Sequence, residues 1–205
     1  MSPRPAIDHI RKPQILRAAA EVITERGLTA TRIADIAERA GTSPPAVLYW
    51  FESREQLLTE ALTADEDAYG ENLDAKLATI PEARGKVRAL LEASAFDGDL
   101  SLWIELWSRS LHDPEAGENR RRLDRIWRSR IAAAISQGQD TGEFPAELDA
   151  GELAIKLAAL MDGLGVQMTL RDPDVPPARM FEFCVEYAEL QLGAKLGEPA
   201  GEAAA

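Results

Sequence analysis

The sequence is poor in the residues that build disulfides and metal sites. It has one cysteine, Cys184, and two histidines, which lie far apart at His9 and His112. A single cysteine excludes an internal disulfide framework and a cysteine-based zinc site. We therefore expect this protein to hold no metal and no cofactor.

The chain also lacks an excess of positive charge and a long uninterrupted apolar run. Its 23 Lys and Arg are outnumbered by 35 Asp and Glu, which gives a net charge of −12 and argues against a protein that coats polyanions. The longest apolar stretch, 153–170, contains Lys156, Asp162 and Gln167, so it does not predict a membrane span. Without a segment resembling a signal peptide, we expect a cytoplasmic protein with no membrane partner.

Charge is divided unevenly along the 205 residues. Residues 1–55 carry 8 basic and 7 acidic side chains, whereas residues 56–205 carry 15 and 28. A nearly neutral segment ahead of an acidic one indicates two parts with different partners. We expect one domain over residues 1–55, a second over residues 56–196, and a disordered tail over residues 197–205.

Helix-forming residues dominate the chain, and no stretch alternates as an amphipathic strand does. Apolar spacing and the Gly and Pro breaks predict about nine helices and hence an all-α fold. The first three helices would form an N-terminal helix-turn-helix domain. The remaining helices would form a larger domain that binds a ligand and dimerises.

The second and third predicted helices have the spacing of a helix-turn-helix. Ala37 is small enough to let the two helices cross closely, and Gly41, four residues later, permits a left-handed turn. Val47, six residues further on, closes the pair from inside. Ordinary helix packing without DNA is the alternative interpretation of this unit.

Capping residues and apolar positions define the expected geometry of these short helices. Thr31 is expected to cap the second helix and Ser43 the third, with its bond to the N–H of Ala46. On the third helix, Val47, Leu48 and Phe51 are all expected to point into the core.

A helix-turn-helix that binds DNA places its second helix in the major groove. The outward side chains of this helix offer few hydrogen bonds, so we expect Pro45 and Ala46 to read thymine methyl groups. Basic residues at the starts of the second and fourth helices are expected to hold phosphates. For Trp50, packing within the domain is an equally good interpretation. The predicted DNA-contact set is Arg11, Lys12, Thr31, Arg32, Thr42, Ser43, Pro44, Pro45, Ala46, Tyr49, Trp50 and Arg54.

The run 31–58, TRIADIAERAGTSPPAVLYWFESREQLL, resembles the DNA-binding signature of the TetR family of bacterial repressors. Weaker similarity continues at 102–111, 138–144 and 157–163, which resemble the ligand-binding half of the BetI-like branch, named for a choline-responsive repressor. The resemblance implies a dimeric, ligand-responsive regulator of transcription.

The sequence departs from the family pattern at the recognition helix. Leu48 stands where the family usually has tyrosine, and Arg54 replaces a frequent lysine while keeping its positive charge. The pair Pro44 and Pro45 leaves a stiff edge that is poor in hydrogen-bond donors. The operator sequence therefore does not follow from the resemblance.

Aromatic and acidic residues in the second part admit two interpretations. Trp103 and Trp107 lie one helical turn apart, and Trp127 belongs to another apolar face, so they form either plain core or the wall of a pocket. Tryptophans beside acidic residues suit a cationic amine, which agrees with the BetI resemblance. The predicted ligand set is Trp103, Trp107, Trp127, Met161, Asp162, Met168 and Phe181.

The last two predicted helices are apolar on more than one side, and such a pair has to bury its second side. We expect a homodimer through these helices, which the family resemblance also implies. The leading hypothesis is a repressor that binds a palindromic operator in double-stranded DNA and is released by a small-molecule effector. Two alternatives stay open: a ligand-independent DNA-binding regulator with a filled apolar body, and a helical enzyme, although no nucleophile–base pair is evident.

Overall fold

The computed structural model describes residues 5–27, 29–97 and 100–197, with the side chains of 5–11 and 102 left out. Within these ranges the chain forms nine α-helices and one π-helical turn, and no strand. The helices are Pro5–Arg26 (α1), Ile33–Arg39 (α2), Pro44–Trp50 (α3), Arg54–Ala78 (α4), Ala83–Glu92 (α5), Ser101–Ser110 (α6), Pro114–Thr141 (α7), Ala150–Thr169 (α8) and Pro177–Leu192 (α9). The π-helical turn, Ala93–Asp97, follows α5 directly. The all-α prediction is confirmed.

Two compact units make up the chain. The first consists of Met1–Glu71 and Ser101–Arg120, and the second of Asn72–Leu100 and Arg121–Ala205. Helix α6 therefore belongs to the same unit as α1–α3, against which it packs through α1. The expected domain boundary at residue 55 remains a prediction of where the DNA-binding part ends, and the predicted tail lies almost wholly outside the described residues.

A single apolar core holds α1, α2, α3 and the start of α4 together. Ala37 and Val47 are 1% and 0% exposed, so they fill the space between α2 and α3 as predicted. Gly41 has a φ of +63°, a left-handed conformation that costs an ordinary residue energy. This turn lets the N–H of Thr42 donate to the carbonyl of Ala37 at 2.8 Å. The helix-turn-helix spacing therefore has its expected structural cause.

The ends of α2 and α3 confirm one predicted cap and contradict the other. The Ser43 Oγ accepts a hydrogen bond from the N–H of Ala46 at 3.4 Å, as expected. Thr31 does not cap α2: the residue is 1% exposed and its hydroxyl donates to the carbonyl of Gly27 at 2.8 Å. Arg32 precedes α2 instead, and its N–H donates to the Asp35 carboxylate at 3.2 Å.

The orientation of α3 corrects a further prediction. Val47 and Phe51 are buried, whereas Leu48 is 51% exposed and does not point into the core. Val47 lies on the inward side of this seven-residue helix, and Phe51, four residues later, follows its last residue on the same side. Leu48 is rotated by about 100° from Val47 around the helix axis, which brings it to the surface.

In the second unit, α8 and α9 pack against each other and bury residues from both helices. Leu157 of α8 is 0% exposed, and Cys184 of α9 is 1% exposed. Burial raises the pKa of the Cys184 thiol to about 11, so the neutral thiol is the dominant form at neutral pH. Gly165 permits a close approach, because a Cβ there would lie 2.3 Å from Leu100 Cδ1.

The turn after α7 is tied to the start of α5 through Glu143. Its carboxylate accepts hydrogen bonds from the N–H groups of Ala83 and Arg84 at 2.9 and 3.1 Å. Arg84 Nε and Thr141 Oγ1 donate to it as well, at 3.0 and 3.1 Å. Burial acts to raise the pKa of Glu143, but the hydrogen bonds outweigh it and lower the pKa to about 2. This cluster supplies acceptors to N–H groups that α5 itself cannot satisfy.

Neither a membrane-spanning helix nor a metal-binding cluster occurs in the described ranges. No helix there is long and apolar enough to cross a membrane. No three His, Cys, Asp or Glu side chains in those ranges gather closely enough to hold a metal ion.

Candidate nucleic-acid interface and effector site

The outer face of α3 is formed by four exposed residues. Leu48 and Tyr49 are 51% and 77% exposed, and Pro44 and Pro45 are exposed at the start of the helix. Positions 45, 48 and 49 lie on one face because side chains three and four residues apart are neighbours on a helix. We call these four residues the α3 outer face. The helix that carries it is packed on the core through the buried Val47.

The α3 outer face is almost devoid of hydrogen-bonding groups. Pro44 and Pro45 have no N–H, and the N–H of Ala46 is already bonded to Ser43. The first turn of α3 therefore provides no amide for a phosphate. Tyr49 supplies a hydroxyl, and its ring meets that of Trp50 edge-on at 5.5 Å. Trp50 is half-buried and packs against the core of the first unit.

The residues predicted to contact phosphates differ in exposure and in the contacts that they make within the protein. Arg32 is exposed beside the start of α2. Arg54 Nε donates to the carbonyl of Thr31 at 2.9 Å, and Arg54 Nη1 lies 3.3 Å from Glu55 Oε1. Arg54 therefore ties the start of α4 to the segment ahead of α2. Thr31 is buried, so we remove its side chain from the proposed phosphate contacts.

Basic residues of α1 have a structural role in the same unit. Lys12 Nζ lies 2.8 Å from Glu60 Oε2 and 5.3 Å from the centre of the Phe51 ring. These contacts hold α1 against α4 and the end of α3. The side chain of Arg11 lies outside the described residues. Thr42 is half-buried and Ser43 is exposed in the turn before α3.

Two predicted ligand residues come together in the first unit, beside a carboxylate that the sequence did not reveal. The Trp103 and Trp107 rings are 6.1 Å apart at an angle of 51°. Trp103 Nε1 donates to Glu66 Oε1 at 2.7 Å. Glu66 precedes Trp103 by 37 positions and lies in an acidic run of α4. Nothing in that run distinguishes Glu66 from its neighbours, so the sequence carried no signal for it.

Other predicted ligand residues lie in the second unit and support the core interpretation in two cases. Met161 is 1% exposed. The Phe181 ring has the Arg88 guanidinium 4.9 Å from its centre and the Phe96 ring 5.5 Å away, so groups of the chain itself cover it. The half-buried members of the set are Trp127, Asp162 and Met168. Ligand contact by any member of the predicted set stays a prediction.

Within the first unit, helix α6 lies beside the end of α1 and the start of α4. A Cβ added at Gly27, after α1, would lie 3.3 Å from Glu105 Oε1. Arg109 Nη1 donates to the carbonyl of Glu55, in the first turn of α4, at 3.4 Å. The same guanidinium bonds Asp113 through Nη2 at 3.0 Å. The helix that carries the tryptophan pair is thus directly connected to the start of α4.

Two family models match the chain. Residues 15–61 match bacterial regulatory proteins of the tetR family, and residues 81–193 match the C-terminal part of BetI-type transcriptional repressors. The first match contains the helix-turn-helix and its α3 outer face. The second contains the tryptophan-bearing helix α6 together with α8 and α9.

Relatives along most of the chain agree with these matches. The regulator BetI of Burkholderia lata is 28% identical over 200 residues, covering 93% of this chain and 98% of its own. BetI of Proteus mirabilis is 29% identical over 201 residues, covering 93% and 96%.

Solved structures give the same result. One match is a protein from Saccharomonospora viridis that is described as a transcriptional regulator and was solved in complex with choline. It is 31% identical to this chain, with a TM-score of 0.80, and the match covers 88% of this chain and 96% of its own. A TetR-family regulator from a Rhodococcus species is 27% identical with a TM-score of 0.75, covering 89% and 98%. These relatives are regulators and not enzymes, which removes the enzyme alternative. The chain is a member of the TetR family of bacterial transcriptional regulators, with a BetI-type C-terminal part.

Proposed function

We propose that this protein is a repressor that binds a palindromic operator as a homodimer and is released by a small cationic amine. The exposed α3 outer face carries the proposal, because it projects from a buried core that fixes its position. In a dimer, two such helices would enter successive major grooves about 34–36 Å apart.

Base contacts are assigned to the α3 outer face and to Ala46, and phosphate contacts to Thr42, Ser43 and Arg32. Arg54 adds positive charge at the same edge while it holds the start of α4 in place. Because the chain as a whole is acidic, with a net charge of −12, this small edge has to supply the phosphate neutralisation. Operator affinity should therefore fall steeply as the salt concentration rises, because contacts with phosphates release counterions from the DNA.

The DNA-binding proposal is tested on fragments selected by the protein from random duplexes. Fluorescence anisotropy would compare the wild type with Tyr49→Ala and with the matched control Tyr49→Phe, which retains the ring. We expect Tyr49→Ala to lose at least about tenfold in affinity, equivalent to about 1.4 kcal/mol. Unchanged binding by Tyr49→Ala would refute the assignment of the α3 outer face to DNA.

The homodimer is assigned to α8 and α9. Ile155 of α8 is 51% exposed and Leu190 of α9 is 75% exposed. A second copy of the chain would cover these apolar side chains, in an obligate interface of roughly 2,000 Å² or more. Light scattering should show a dimer for the wild type and a monomer for Leu190→Glu. The same change at the exposed Leu111 of the first unit is the control and should leave the dimer intact.

The cationic amine is assigned to the tryptophan pair of the first unit. A quaternary ammonium group is attracted to the faces of indole rings, and a nearby carboxylate adds charge pairing. Trp103, Trp107 and Glu66 provide both chemistries within one cluster. The choline bound to the relative from Saccharomonospora viridis supports this class of effector.

Release would pass along α6 to the start of α4. An amine that reorients Trp107 acts on the helix whose Arg109 bonds the carbonyl of Glu55. The adjacent Arg54 holds the segment ahead of α2, so a shift of α4 alters the support of the DNA-binding helices. Coupling of about 1–3 kcal/mol, or 5–150-fold in operator affinity, is the usual scale for such linkage.

The effector proposal is tested with choline and its uncharged tert-butyl analogue. Choline should quench or shift tryptophan fluorescence, raise the melting temperature and weaken operator binding, whereas the uncharged analogue should do none of these. Glu66→Gln keeps an oxygen acceptor for Trp103 but removes the charge, so it should weaken choline binding selectively. Specific operator binding that does not respond to any cationic amine would favour the ligand-independent regulator instead.

A further inference from the structure

We infer that Leu48 is a specificity residue that packs against the C5-methyl group of a thymine in each operator half-site. This inference rests on the proposed DNA-binding function and adds a contact that the sequence pattern had assigned to the core.

The position of Leu48 is the first observation. It is 51% exposed and shares the α3 outer face with Pro45 and Tyr49, while the neighbouring Val47 and Phe51 fill the core. A single exposed leucine carries no information about function, because much of any protein surface is apolar. Here the exposed leucine lies on the same short helix as Tyr49, which is 77% exposed, and as the exposed Pro45 three residues earlier.

The chemistry of the rest of α3 is the second observation. The helix reads PPAVLYW and contains no Arg, Lys, Asn or Gln, the side chains that read guanine and adenine by paired hydrogen bonds. The indole of Trp50 is half-buried against the core. Tyr49 therefore remains as the one side chain of α3 that offers a polar group on the outer face.

Base-edge chemistry selects the partner of such a surface. In the major groove, thymine is the base that presents a methyl group, whereas adenine, guanine and cytosine are distinguished by their hydrogen-bonding groups. Seating a leucine over an amino or carbonyl group would remove its water without replacing the hydrogen bond, which is unfavourable. Contact with a thymine methyl group buries apolar surface on both sides.

The size of the effect follows from the burial of one methyl group. Such burial changes affinity by about fourfold, so loss from both half-sites of a palindrome should weaken binding by about fifteenfold. Replacing thymine by deoxyuridine removes this methyl group and leaves the hydrogen-bonding edge unchanged. The substitution therefore isolates the proposed contact.

The experiment is a deoxyuridine scan of the selected operator. Each thymine is replaced in turn, symmetrically in both half-sites, and affinities are measured by anisotropy for the wild type, Leu48→Ala and the control Leu111→Ala. Leu111 is 78% exposed directly after α6. Its replacement by alanine makes the same chemical change at a site away from α3. Melting temperatures establish that the variants are folded.

The inference predicts one thymine whose replacement costs the wild type and Leu111→Ala about fifteenfold but leaves Leu48→Ala nearly unaffected. It is overturned if every replacement weakens the wild type and Leu48→Ala by the same factor, or if no replacement weakens the wild type. Absence of specific binding by the wild type to any selected duplex would instead overturn the proposed function itself.

Discussion

Replacement of Glu143 by glutamine is expected to destabilise the protein at neutral pH and to have little effect near pH 2. The carboxylate accepts four hydrogen bonds and its side chain is 13% exposed. The change in its pKa from 4.5 to about 2 corresponds to roughly 3 kcal/mol of stability. Because Arg84 is 46% exposed, its share is screened by solvent, and we expect about 2 kcal/mol.

The pH dependence has a definite sign. The folded pKa of Glu143 lies below the unfolded value, so its contribution is complete above about pH 5 and is lost as the pH falls from 4.5 to about 2. Other carboxylates with lowered pKa values, such as Asp74 and Asp113, contribute to the acid sensitivity of the wild type. The difference between the wild type and Glu143→Gln isolates the contribution of this residue.

The assay is unfolding in urea at pH 7, 5, 4 and 3, together with melting temperatures. At pH 7 we expect Glu143→Gln to melt about 4–8 °C lower, since each kcal/mol shifts the melting temperature of a protein of this size by about 2–4 °C. Glu147→Gln, at an exposed position of the next turn, should stay within about 0.5 kcal/mol of the wild type. A stability difference that does not shrink on acidification would refute the reasoning.

Three further predictions concern the helix-turn-helix, the packing of α7 against the turn that follows it, and helix α6. Gly41→Ala should lower the free energy of unfolding in urea by about 1 kcal/mol, because the φ of +63° is unfavourable for alanine. No clash adds to this loss, since no atom beyond the adjacent residues lies within 4 Å of the added Cβ. A stabilised variant would contradict this prediction. Gly138→Ala should cost more, about 2 kcal/mol, since its Cβ would overlap the Phe144 ring; because alanine is favoured over glycine inside a helix, no loss or a gain in stability would show that the ring moves aside freely. Arg109→Ala removes the hydrogen bond to the Glu55 carbonyl. Choline should bind this variant as it binds the wild type, but in operator-release titrations the factor by which choline weakens operator affinity should be at least about fivefold smaller. A factor equal to that of the wild type would rule out this route.

The elements that sequence predicts well are those with a local physical cause. A glycine with a left-handed turn, a serine cap ahead of two prolines and a buried aliphatic at fixed spacing each act over a few residues. Gly41, Ser43 and Val47 accordingly occupy the expected positions. The family resemblance then extended this local unit to a whole fold.

The sequence-based predictions are wrong where two residues compete for one cap and where a helix is too short for its spacing to identify the inward face. Thr31 and Arg32 both precede α2, and only the structure shows that the threonine hydroxyl turns back to Gly27. On α3, two adjacent aliphatics precede Phe51, and fewer than two full turns cannot establish which of them faces inward. Leu48 was therefore assigned to the core although it is exposed.

Contacts between distant segments escape sequence reasoning altogether. Glu66 meets Trp103 only because α4 and α6 pack in one unit. The Phe181 ring likewise lies beside the guanidinium of Arg88, which is 93 positions earlier in the chain. Pairings of this kind depend on tertiary packing, which no periodicity within a single helix encodes.

The buried thiol on α9 makes site-specific labelling straightforward. Cys184 is 1% exposed with a pKa raised to about 11, so maleimide and methanethiosulfonate reagents would leave it untouched at neutral pH. A cysteine introduced at the exposed Leu111 would then carry the sole spin label of each chain. Electron paramagnetic resonance on such a sample would measure a distance between two paired copies directly, with and without an added amine.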